Sequence, residues 1–395
     1  MTSKIATRIT RIKPSATMAV SEKANQLRAK GENIINLGFG EPDFDTPEYI
    51  CRAGIQAIKD GQTRYTAADG TAELKNAIIE KLKRDNNLSF EPNQIIASTG
   101  AKQVLYNLTQ AILEEGDEAI IPAPFWVSYI DMVKVTGADA VVIETDIKQN
   151  YKITAEQLEQ AITPKTKMFF INSPSNPSGM AYTTEELTAI ANVLKKHPNI
   201  VIASDEIYEY ILWSMDHYVN LLNVCPELRE QMVIINGVSK AYAMTGWRIG
   251  YAAGPQKIIG AMKKLQSQST SSACTISQHA AAVAMREPKN VIHYMIEAYK
   301  ERQEFVYEAL SNMKNIEVAP ADGTFYIFPK VQQAIEKLGL EDDIAFANLI
   351  LERAKVALVP GTAFGAPGHI RISYATDLVT LDRAMRQIAE VVNNA

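Results

Sequence analysis

The chain alternates short apolar runs with longer segments in which apolar residues recur every three or four positions. Between about residues 48 and 285 the apolar runs predict six strands, at 93–98, 118–122, 139–144, 168–172, 200–204 and 232–236. The intervening segments have the periodicity of amphipathic helices. The pairs Thr154/Gln157 and Thr183/Glu186 have the spacing of capping boxes at two helix starts. Strands that alternate with helices predict an α/β fold with a mostly parallel sheet covered on both faces.

The pattern changes beyond residue 285. A long helical stretch, 290–312, precedes short strands around 325–328 and 370–374 and helices near 345–353 and 381–392. This arrangement predicts a smaller α+β domain. Because 395 residues exceed the usual size of one domain, we divide the chain into a large domain (48–285), a small C-terminal domain (286–395) and an N-terminal arm (1–47) that forms part of the small domain.

Composition narrows the class of protein. The chain is 47% hydrophobic and 22% charged, as in soluble globular proteins, and its net charge of -5 argues against a nucleic-acid or anionic-membrane partner. No apolar run approaches the roughly 18 to 20 residues that span a bilayer. Three cysteines without CxxC or Cys/His spacing argue against a disulfide framework or a metal site and favour a reducing, cytoplasmic compartment. The basic, acid-free residues 1–21 faintly resemble a transit peptide, but we interpret them as a folded arm.

The segment 236–251, NGVSKAYAMTGWRIGY, carries the main chemical signal. Lys240 follows an apolar strand and lies where open α/β sheets bind ligands, at the carboxyl end of the strand. A lysine in a partly dry, cationic pocket loses its proton more easily and becomes a Schiff-base nucleophile. Arg248, eight residues on, offers a planar fork for phosphate oxygens. Taken alone, such a pair is more often two solvated surface charges.

Polar or aromatic residues follow four other predicted strands. Asp205 follows 200–204, Asn176 lies in the turn after 168–172, and Trp126 follows 118–122. The turn 98–103 joins a strand to a helix, and its N–H groups can form an anion cradle. Each of these alone has an ordinary structural interpretation, such as a helix cap, a turn or core packing. Together they predict one site at one edge of the sheet.

These motifs resemble those of class I pyridoxal-phosphate-dependent aminotransferases, and from about Lys13 to the last helix the chain is similar to bacterial aspartate aminotransferases of subgroup Ib. The resemblance implies fold type I with a seven-stranded, mostly parallel sheet. It implies pyridoxal 5'-phosphate as cofactor and a homodimer with shared active sites. The implied activity, in amino acid metabolism, is reversible ping-pong transfer of the amino group from L-aspartate to 2-oxoglutarate.

The resemblance also implies roles for the cofactor residues. Lys240 would form the Schiff base and act as proton-transfer base, and Asp205 would pair with the ring nitrogen. Tyr208 and Asn176 would contact the phenolic oxygen of the ring, and Trp126 would stack on the ring. The phosphate would be held by the residues Gly100, Ala101, Lys102, Arg248 and, from the neighbouring subunit, Tyr65. Gly237 departs from the pattern, since many relatives in the wider family have a phosphate-binding serine there.

Arg371 matches the arginine of this family that binds the α-carboxylate of the substrate. Taken alone, Arg371 would be interpreted as a half-exposed residue of a strand. Gly40 would donate a backbone N–H to the same carboxylate, and Trp126 and Asn176 would also contact the substrate. No arginine lies between Arg248 and Arg286 to bind the distal carboxylate. The resemblance assigns that task to Lys102, Ser15 and Thr17, which could equally form a lid without selectivity.

Three alternatives remain open. The chain could be an aminotransferase for aromatic or prephenate/arogenate substrates, which subgroup Ib also includes, or a pyridoxal-phosphate-dependent β-lyase. A non-catalytic cofactor-sensing domain of a transcription regulator would need a winged-helix segment and a basic face. The chain has neither of these features.

Overall fold

The computed structural model describes residues 4–14 and 16–393, so Ser15, assigned to the substrate above, lies outside the described residues. Within those ranges the strands are β1 (Ile35–Asn36), β2 (Ile95–Thr99), β3 (Glu118–Pro122), β4 (Asp139–Ile143), β5 (Thr166–Asn172), β6 (Val201–Asp205), β7 (Met232–Gly237), β8 (Ile249–Ala253), β9 (Tyr326–Ile327), β10 (Val356–Ala357), β11 (Val359–Pro360) and β12 (Ile370–Ser373).

The α-helices of the same ranges are α1 (Ala16–Ala29), α2 (Glu48–Lys59), α3 (Ala72–Asn86), α4 (Ala101–Ile112), α5 (Ser128–Thr136), α6 (Ala155–Ala161), α7 (Thr184–Leu194), α8 (Leu221–Val224), α9 (Gln256–Ser267), α10 (Thr275–Arg286), α11 (His293–Ser311), α12 (Gln332–Lys337), α13 (Asp343–Arg353) and α14 (Leu378–Asn393). Both predicted capping boxes form, with Thr154 at the start of α6 and Thr183 at the start of α7.

The main sheet has seven strands in the order β2-β8-β7-β6-β5-β3-β4. Its neighbours are parallel from β7 through β4, and only β8 runs antiparallel, against both β2 and β7. The predicted seven-stranded, mostly parallel sheet is confirmed. Our strand pattern missed β8, because its buried run begins directly after Arg248 without a turn signal and does not alternate.

Apolar clusters cover both faces of this sheet, as expected for parallel strands. A separate cluster joins α11, α13 and α14 to short strands, and Ile35 and Leu37 from the N-terminal part of the chain pack into it. There β1 pairs in parallel with β10, and β12 lies between β11 and β9. The domain boundaries at 47/48 and 285/286 stay predictions.

The described part of the N-terminal arm is folded. A 3-10 turn at Thr7–Arg11 packs against α5, and the Lys13 backbone N–H donates to Asp131 Oδ1 at 3.2 Å. Helix α1 follows and packs against β10 and β11. Among the described residues, no helix combines the length and apolar character needed to cross a membrane.

Candidate active site

A cavity of about 970 Å³ opens at the carboxyl ends of the parallel strands. This is the position at which open α/β sheets bind ligands. It brings together most of the residues singled out in the sequence: Thr17, Gly40, Ala101, Lys102, Trp126, Asn176, Asp205, Tyr208, Lys240, Arg248 and Arg371. These residues come from seven or more separate segments of the chain, so only the fold makes them neighbours.

Lys240 lies in the loop after β7, half-buried at the floor of the cavity. Its Nζ donates to the backbone oxygen of Gly40 at 2.5 Å. Burial lowers the pKa of Lys240 to about 8, and Arg371 and Arg248 add to that lowering while Glu41 and Asp205 oppose it. A neutral amine is therefore accessible near neutral pH, which is what a nucleophile and a proton acceptor require.

Arg248 lies beside the turn that opens α4. Its backbone is left-handed at φ 58°, an uncommon conformation for a residue with a side chain, and its Nη1 donates to the Thr245 carbonyl at 2.9 Å. At Gly100, with φ +83°, a Cβ would come within 2.3 Å of Arg248 Nη2. Only glycine therefore lets the guanidinium approach the turn, where the start of α4 presents unpaired N–H groups to an anion.

The space around Gly237 is too small for a side chain. A Cβ there would lie 2.8 Å from the Ile249 carbonyl oxygen and 2.9 Å from Gly250 Cα, because β7 and β8 pair closely at this point. A serine would force the two strands apart. The departure noted in the sequence thus agrees with the local backbone.

Asp205 ends β6 and is buried. Tyr129 donates its hydroxyl to Asp205 Oδ2 at 2.6 Å, and the backbone N–H of Ile207 donates to Oδ1 at 3.3 Å. Burial raises the pKa of Asp205 to about 6 against the opposing effect of these two donors. A cationic partner in the cavity would restore the ionised form.

Arg371 on β12 is 2% exposed, which rules out the half-exposed alternative. Its Nη1 donates to Asn176 Oδ1 at 3.0 Å and its Nη2 to the Gly38 carbonyl at 2.8 Å, and the guanidinium lies 4.4 Å from the centre of the Tyr326 ring. Arg371 Nε is buried without a hydrogen-bond partner within the described ranges. A buried cation with an unused donor is suited to a carboxylate.

The other end of the cavity is formed by Lys102 and α1. Lys102 Nζ lies 4.8 Å from the centre of the Trp126 ring, and burial, followed by repulsion from Arg248, lowers the pKa of Lys102. Thr17 lines the same wall. The arm therefore contributes a helix face to the cavity rather than a few hydroxyl groups alone.

Two of the predicted residues that the structure describes do not line this cavity. Tyr65 is 94% exposed and does not line it, and Gly100 lies behind it against Arg248. Ser15 is outside the described residues. Because Tyr65 is exposed, its side chain is accessible to a second subunit.

Sequence reasoning missed several residues that the cavity contains. Tyr129 lies three residues after Trp126, at the start of α5, and this spacing was the signal available in the sequence. The Tyr326 ring faces Arg371, and the Tyr326 hydroxyl lies 3.2 Å from the Tyr208 hydroxyl. In the sequence, Tyr326 had no signal beyond its place in a predicted strand. The polar side chains of α1 that line the cavity were also missed: Ser21, Glu22, Asn25 and Gln26.

Comparison with known proteins agrees with this geometry. The sequence profile described as "Aminotransferase class I and II" matches residues 32–388. This chain belongs to that family. It is therefore a pyridoxal-phosphate-dependent aminotransferase, as its motifs predicted.

Named relatives are similar over nearly their full length. The aspartate/prephenate aminotransferase of Nitrosomonas europaea is 51% identical, with 99% of this chain and 100% of the relative aligned. The aspartate aminotransferase of Bacillus subtilis is 46% identical over 98% of this chain and 99% of the relative. Among solved structures, the Thermus thermophilus aspartate aminotransferase with maleate superposes with a TM-score of 0.93 at 40% identity, covering 98% of this chain and 100% of the other.

The residues of the cavity fit the cofactor of this family. The turn at Gly100 and the Arg248 fork form a cradle for a phosphate, and the space between them would be filled by any larger residue. Asp205 offers a buried carboxyl to a ring nitrogen, and Lys240 offers an amine of lowered pKa to an aldehyde. Trp126 offers an aromatic face on the same cavity.

Proposed function

We propose that this aminotransferase acts on aspartate, transferring the amino group reversibly from L-aspartate to 2-oxoglutarate to give oxaloacetate and L-glutamate. The observation that carries the proposal is that two cations, Arg371 and Lys102, line the cavity that contains the Lys240 amine. A dicarboxylic amino acid needs a cation for each carboxylate, because an unpaired charge in a partly desolvated cavity is costly. The Thermus relative was solved with maleate, which is also a dicarboxylate.

The chain's own groups account for the proton chemistry. Pyridoxal phosphate, when bound, supplies a sink for the electrons left behind when the α C–H bond of the amino acid breaks. Lys240 Nζ would hold the cofactor through its aldehyde carbon, and the Lys240 amine, once released by the incoming amino acid, would accept the α proton and give it back within the same half-reaction. The same groups run in reverse when the 2-oxo acid binds in the second half-reaction.

Neighbouring side chains hold this arrangement in place. Asp205 would pair with the protonated ring nitrogen of the cofactor, and Tyr129 orients the Asp205 carboxylate through the 2.6 Å hydrogen bond. Asn176 Oδ1 accepts from Arg371 Nη1, so Asn176 Nδ2 would donate to the ring oxygen of the cofactor, together with the Tyr208 hydroxyl. Arg371 binds the α-carboxylate, with the backbone N–H of Gly40 beside it.

Selectivity for acidic substrates is the first test. Lys102→Ala is expected to lower kcat/KM for aspartate by roughly 30-fold, or about 2 kcal/mol, because a charge-assisted contact to a partly desolvated carboxylate is lost. The loss for alanine or phenylalanine should be only a few-fold. Single half-reactions, followed by conversion of the aldehyde form to pyridoxamine phosphate, measure both values.

Lys263→Ala is the matched control, because Lys263 is a half-exposed lysine paired with Asp69 outside the cavity. Lys263→Ala should leave the ratio of kcat/KM for aspartate to kcat/KM for the apolar donor unchanged. Thr17→Ala reports the contribution of the arm and should affect aspartate in the same direction as Lys102→Ala. Equal losses for acidic and apolar donors with Lys102→Ala would contradict the assignment and limit Lys102 to the phosphate turn.

Prephenate is a second candidate substrate. The cavity has a volume of about 970 Å³ and is lined on one wall by Met18, Leu105 and Trp126, which leaves room for a ring-bearing 2-oxo acid. The Nitrosomonas relative is named for both substrates. Including prephenate and an aromatic 2-oxo acid as amino acceptors in the same half-reactions decides between a single and a dual specificity, and release of ammonia with pyruvate would instead indicate a β-lyase.

We also propose that the protein is a homodimer with shared active sites. Tyr65 is 94% exposed, and Ile55 and Ile58 on the nearby α2 are more than half exposed. Exposed apolar and aromatic side chains grouped in this way are typical of a surface covered by a partner. Tyr65 of one subunit would then reach the phosphate in the cavity of the other.

Subunit mixing tests this arrangement. If Tyr65 serves the partner, Tyr65→Ala and Lys240→Ala should each be impaired, at limiting cofactor, while a refolded mixture regains activity. Each mixed dimer holds one site with both residues intact, and random mixing gives about a quarter of the wild-type sites. If Tyr65 acts within its own chain or not at all, the mixture should show no activity beyond the average of the two variants.

A cytoplasmic location completes the proposal. Its support is the use of cysteine, since Cys51, Cys225 and Cys274 are all free thiols. Unpaired cysteines without a disulfide framework are typical of reducing compartments.

A further inference from the structure

A buried polar cluster outside the active-site cavity connects α3, the segment after β6 and the end of β7. Its centre is the carboxylate of Glu209, and its other members are Lys81 and Asn86 from α3 and Asn236 from the end of β7. All four residues are at least nine-tenths buried. None of them lines the active-site cavity, so no role above accounts for them.

Both oxygens of Glu209 are satisfied. Lys81 Nζ donates to Oε1 and also to Asn86 Oδ1 at 2.8 Å, and Asn86 Nδ2 donates to Oε2 at 2.9 Å. Asn236 Nδ2 donates to Oε1 at 2.9 Å, while Asn236 Oδ1 accepts from the Gly237 N–H at 2.7 Å. The cluster is therefore a complete buried ion pair with an amide on either side.

The cluster joins the two segments that carry the reacting groups. Glu209 directly follows Tyr208, in the segment that begins with Asp205, and Asn236 lies near the end of β7, four residues before Lys240. The hydrogen bond from Asn236 Nδ2 to Glu209 Oε1 joins these two segments through their side chains, and Lys81 joins Glu209 to α3. Ile207, between Asp205 and Glu209, borders both the cluster and the cavity.

Stability alone is a poor reason for such a cluster. A buried ion pair is often no more stabilising than apolar residues of the same volume, because both charges must leave water. The segment also contains Glu206, whose pKa burial and the nearby Glu209 raise to about 8, so Lys81 compensates chiefly the charge of Glu209. What the cluster supplies beyond charge balance is a fixed distance and direction between two loops.

We propose that Glu209 and Asn236 form a positioning unit that holds the Asp205–Tyr208 segment and the Lys240 loop at the spacing needed for proton transfer, while Lys81 balances the charge of Glu209. The unit touches neither substrate nor cofactor, and it acts through Tyr208 and Lys240. The inference rests on the proposed role of Lys240 as the cofactor-bearing lysine.

The decisive variant is Asn236→Ser, which removes the link to Glu209 and leaves the Lys81–Glu209 ion pair in place. Displacing reacting groups by a fraction of an ångström costs at least about tenfold in rate, so kcat for aspartate should fall by that factor while KM changes little. The pH midpoint of the visible absorption of the loaded enzyme should also move. The charged groups that face Lys240 are unchanged by this variant, namely Glu41, Asp205, Arg248 and Arg371.

A second variant keeps the experiment decisive if Asn236→Ser does not fold. The double change Lys81→Met with Glu209→Gln removes both charges but keeps an amide oxygen that accepts from Asn236. It should retain the wild-type absorption midpoint and most of kcat, because the link persists. A shifted midpoint in this double variant would mean that charge, and not position, is what the cluster provides, and would overturn the proposal.

The matched control is Lys152→Met with Glu186→Gln, which removes a lysine–carboxylate pair, 2.6 Å apart, away from the cavity, in which Lys152 is buried and Glu186 is partly exposed. This control should lower the melting temperature without moving kcat or the absorption midpoint. If Asn236→Ser behaves in the same way, the cluster is only structural and the proposal is wrong. Borohydride mapping of the wild type tests Lys240 itself independently, so the two failures are distinguishable.

Discussion

Lys240→Ala is expected to reduce turnover by on the order of 10⁴-fold or more, because one amine both binds the cofactor and transfers the proton, and general-base catalysis alone contributes about 10² to 10⁴. In the wild type, borohydride reduction followed by mass mapping should find the pyridoxyl adduct on Lys240. An adduct on another cavity lysine, such as Lys102, would contradict the assignment. Lys152→Ala, which removes a buried lysine outside the cavity, should leave turnover per folded molecule unchanged.

Lys240 also makes the stability of the cofactor-free protein depend on pH. Burial lowers the pKa of Lys240 from 10.5 to about 8, so the folded state binds this proton more weakly than the unfolded state. The cost of the buried charge is fully present below pH 8 and disappears as the pH rises towards 10.5. Lys240→Met should therefore stabilise the cofactor-free protein at pH 7 and lose that advantage at pH 10, as measured by urea unfolding.

Asp205→Asn is expected to lower kcat by about 10² to 10³-fold, or roughly 3 to 4 kcal/mol of transition-state stabilisation. The amide can still accept from the Tyr129 hydroxyl, which bonds Asp205 at 2.6 Å, but it carries no charge to keep the ring nitrogen protonated. Cofactor should still bind through the phosphate turn and Arg248. Stopped-flow half-reactions with aspartate separate the loss of chemistry from any loss of binding.

The control for Asp205 is Asp343→Asn. Asp343 is also fully buried and accepts from the Thr362 N–H and hydroxyl, at 2.7 Å each, in a part of the chain that does not line the cavity. It should lower stability and leave kcat per folded molecule unchanged. A turnover for Asp205→Asn within a few-fold of the wild type would reduce Asp205 to a strand-end cap.

Local sequence signals were sufficient for most of the main sheet. The run 118–122 was predicted with the bounds that β3 has, and the Thr154 and Thr183 capping boxes mark the starts of α6 and α7. Strand β8 was missed, because a short buried strand shows no alternation of apolar and polar residues. Its pairing partners gave no further signal, since β2 is distant in the sequence and both β2 and β7 run antiparallel to β8. Hydrophobic periodicity reports the neighbours along one segment and not the order of strands in a sheet.

The residues of the active site also divide into those that the sequence predicts and those that only the structure shows. Lys240, Asp205 and Asn176 each follow a buried strand, and parallel strands end at one edge, so the sequence alone predicts that these residues meet. Nothing local marks Tyr326, which comes to face Arg371 because β9, which carries Tyr326, pairs with β12, which carries Arg371. The exposure of Tyr65 likewise follows from the surface of the folded chain, which no pattern of residues reports.

The sequence by itself determined the class of fold, the cofactor motifs and the family, because these depend on residue types at fixed spacing. Tertiary structure decided three further matters: the burial that lowers the pKa of Lys240 and raises that of Asp205, the space that admits only glycine at Gly100, and the link between Glu209 and Asn236. The physical reason is that desolvation, steric exclusion and long-range hydrogen bonds depend on atoms far apart in the chain.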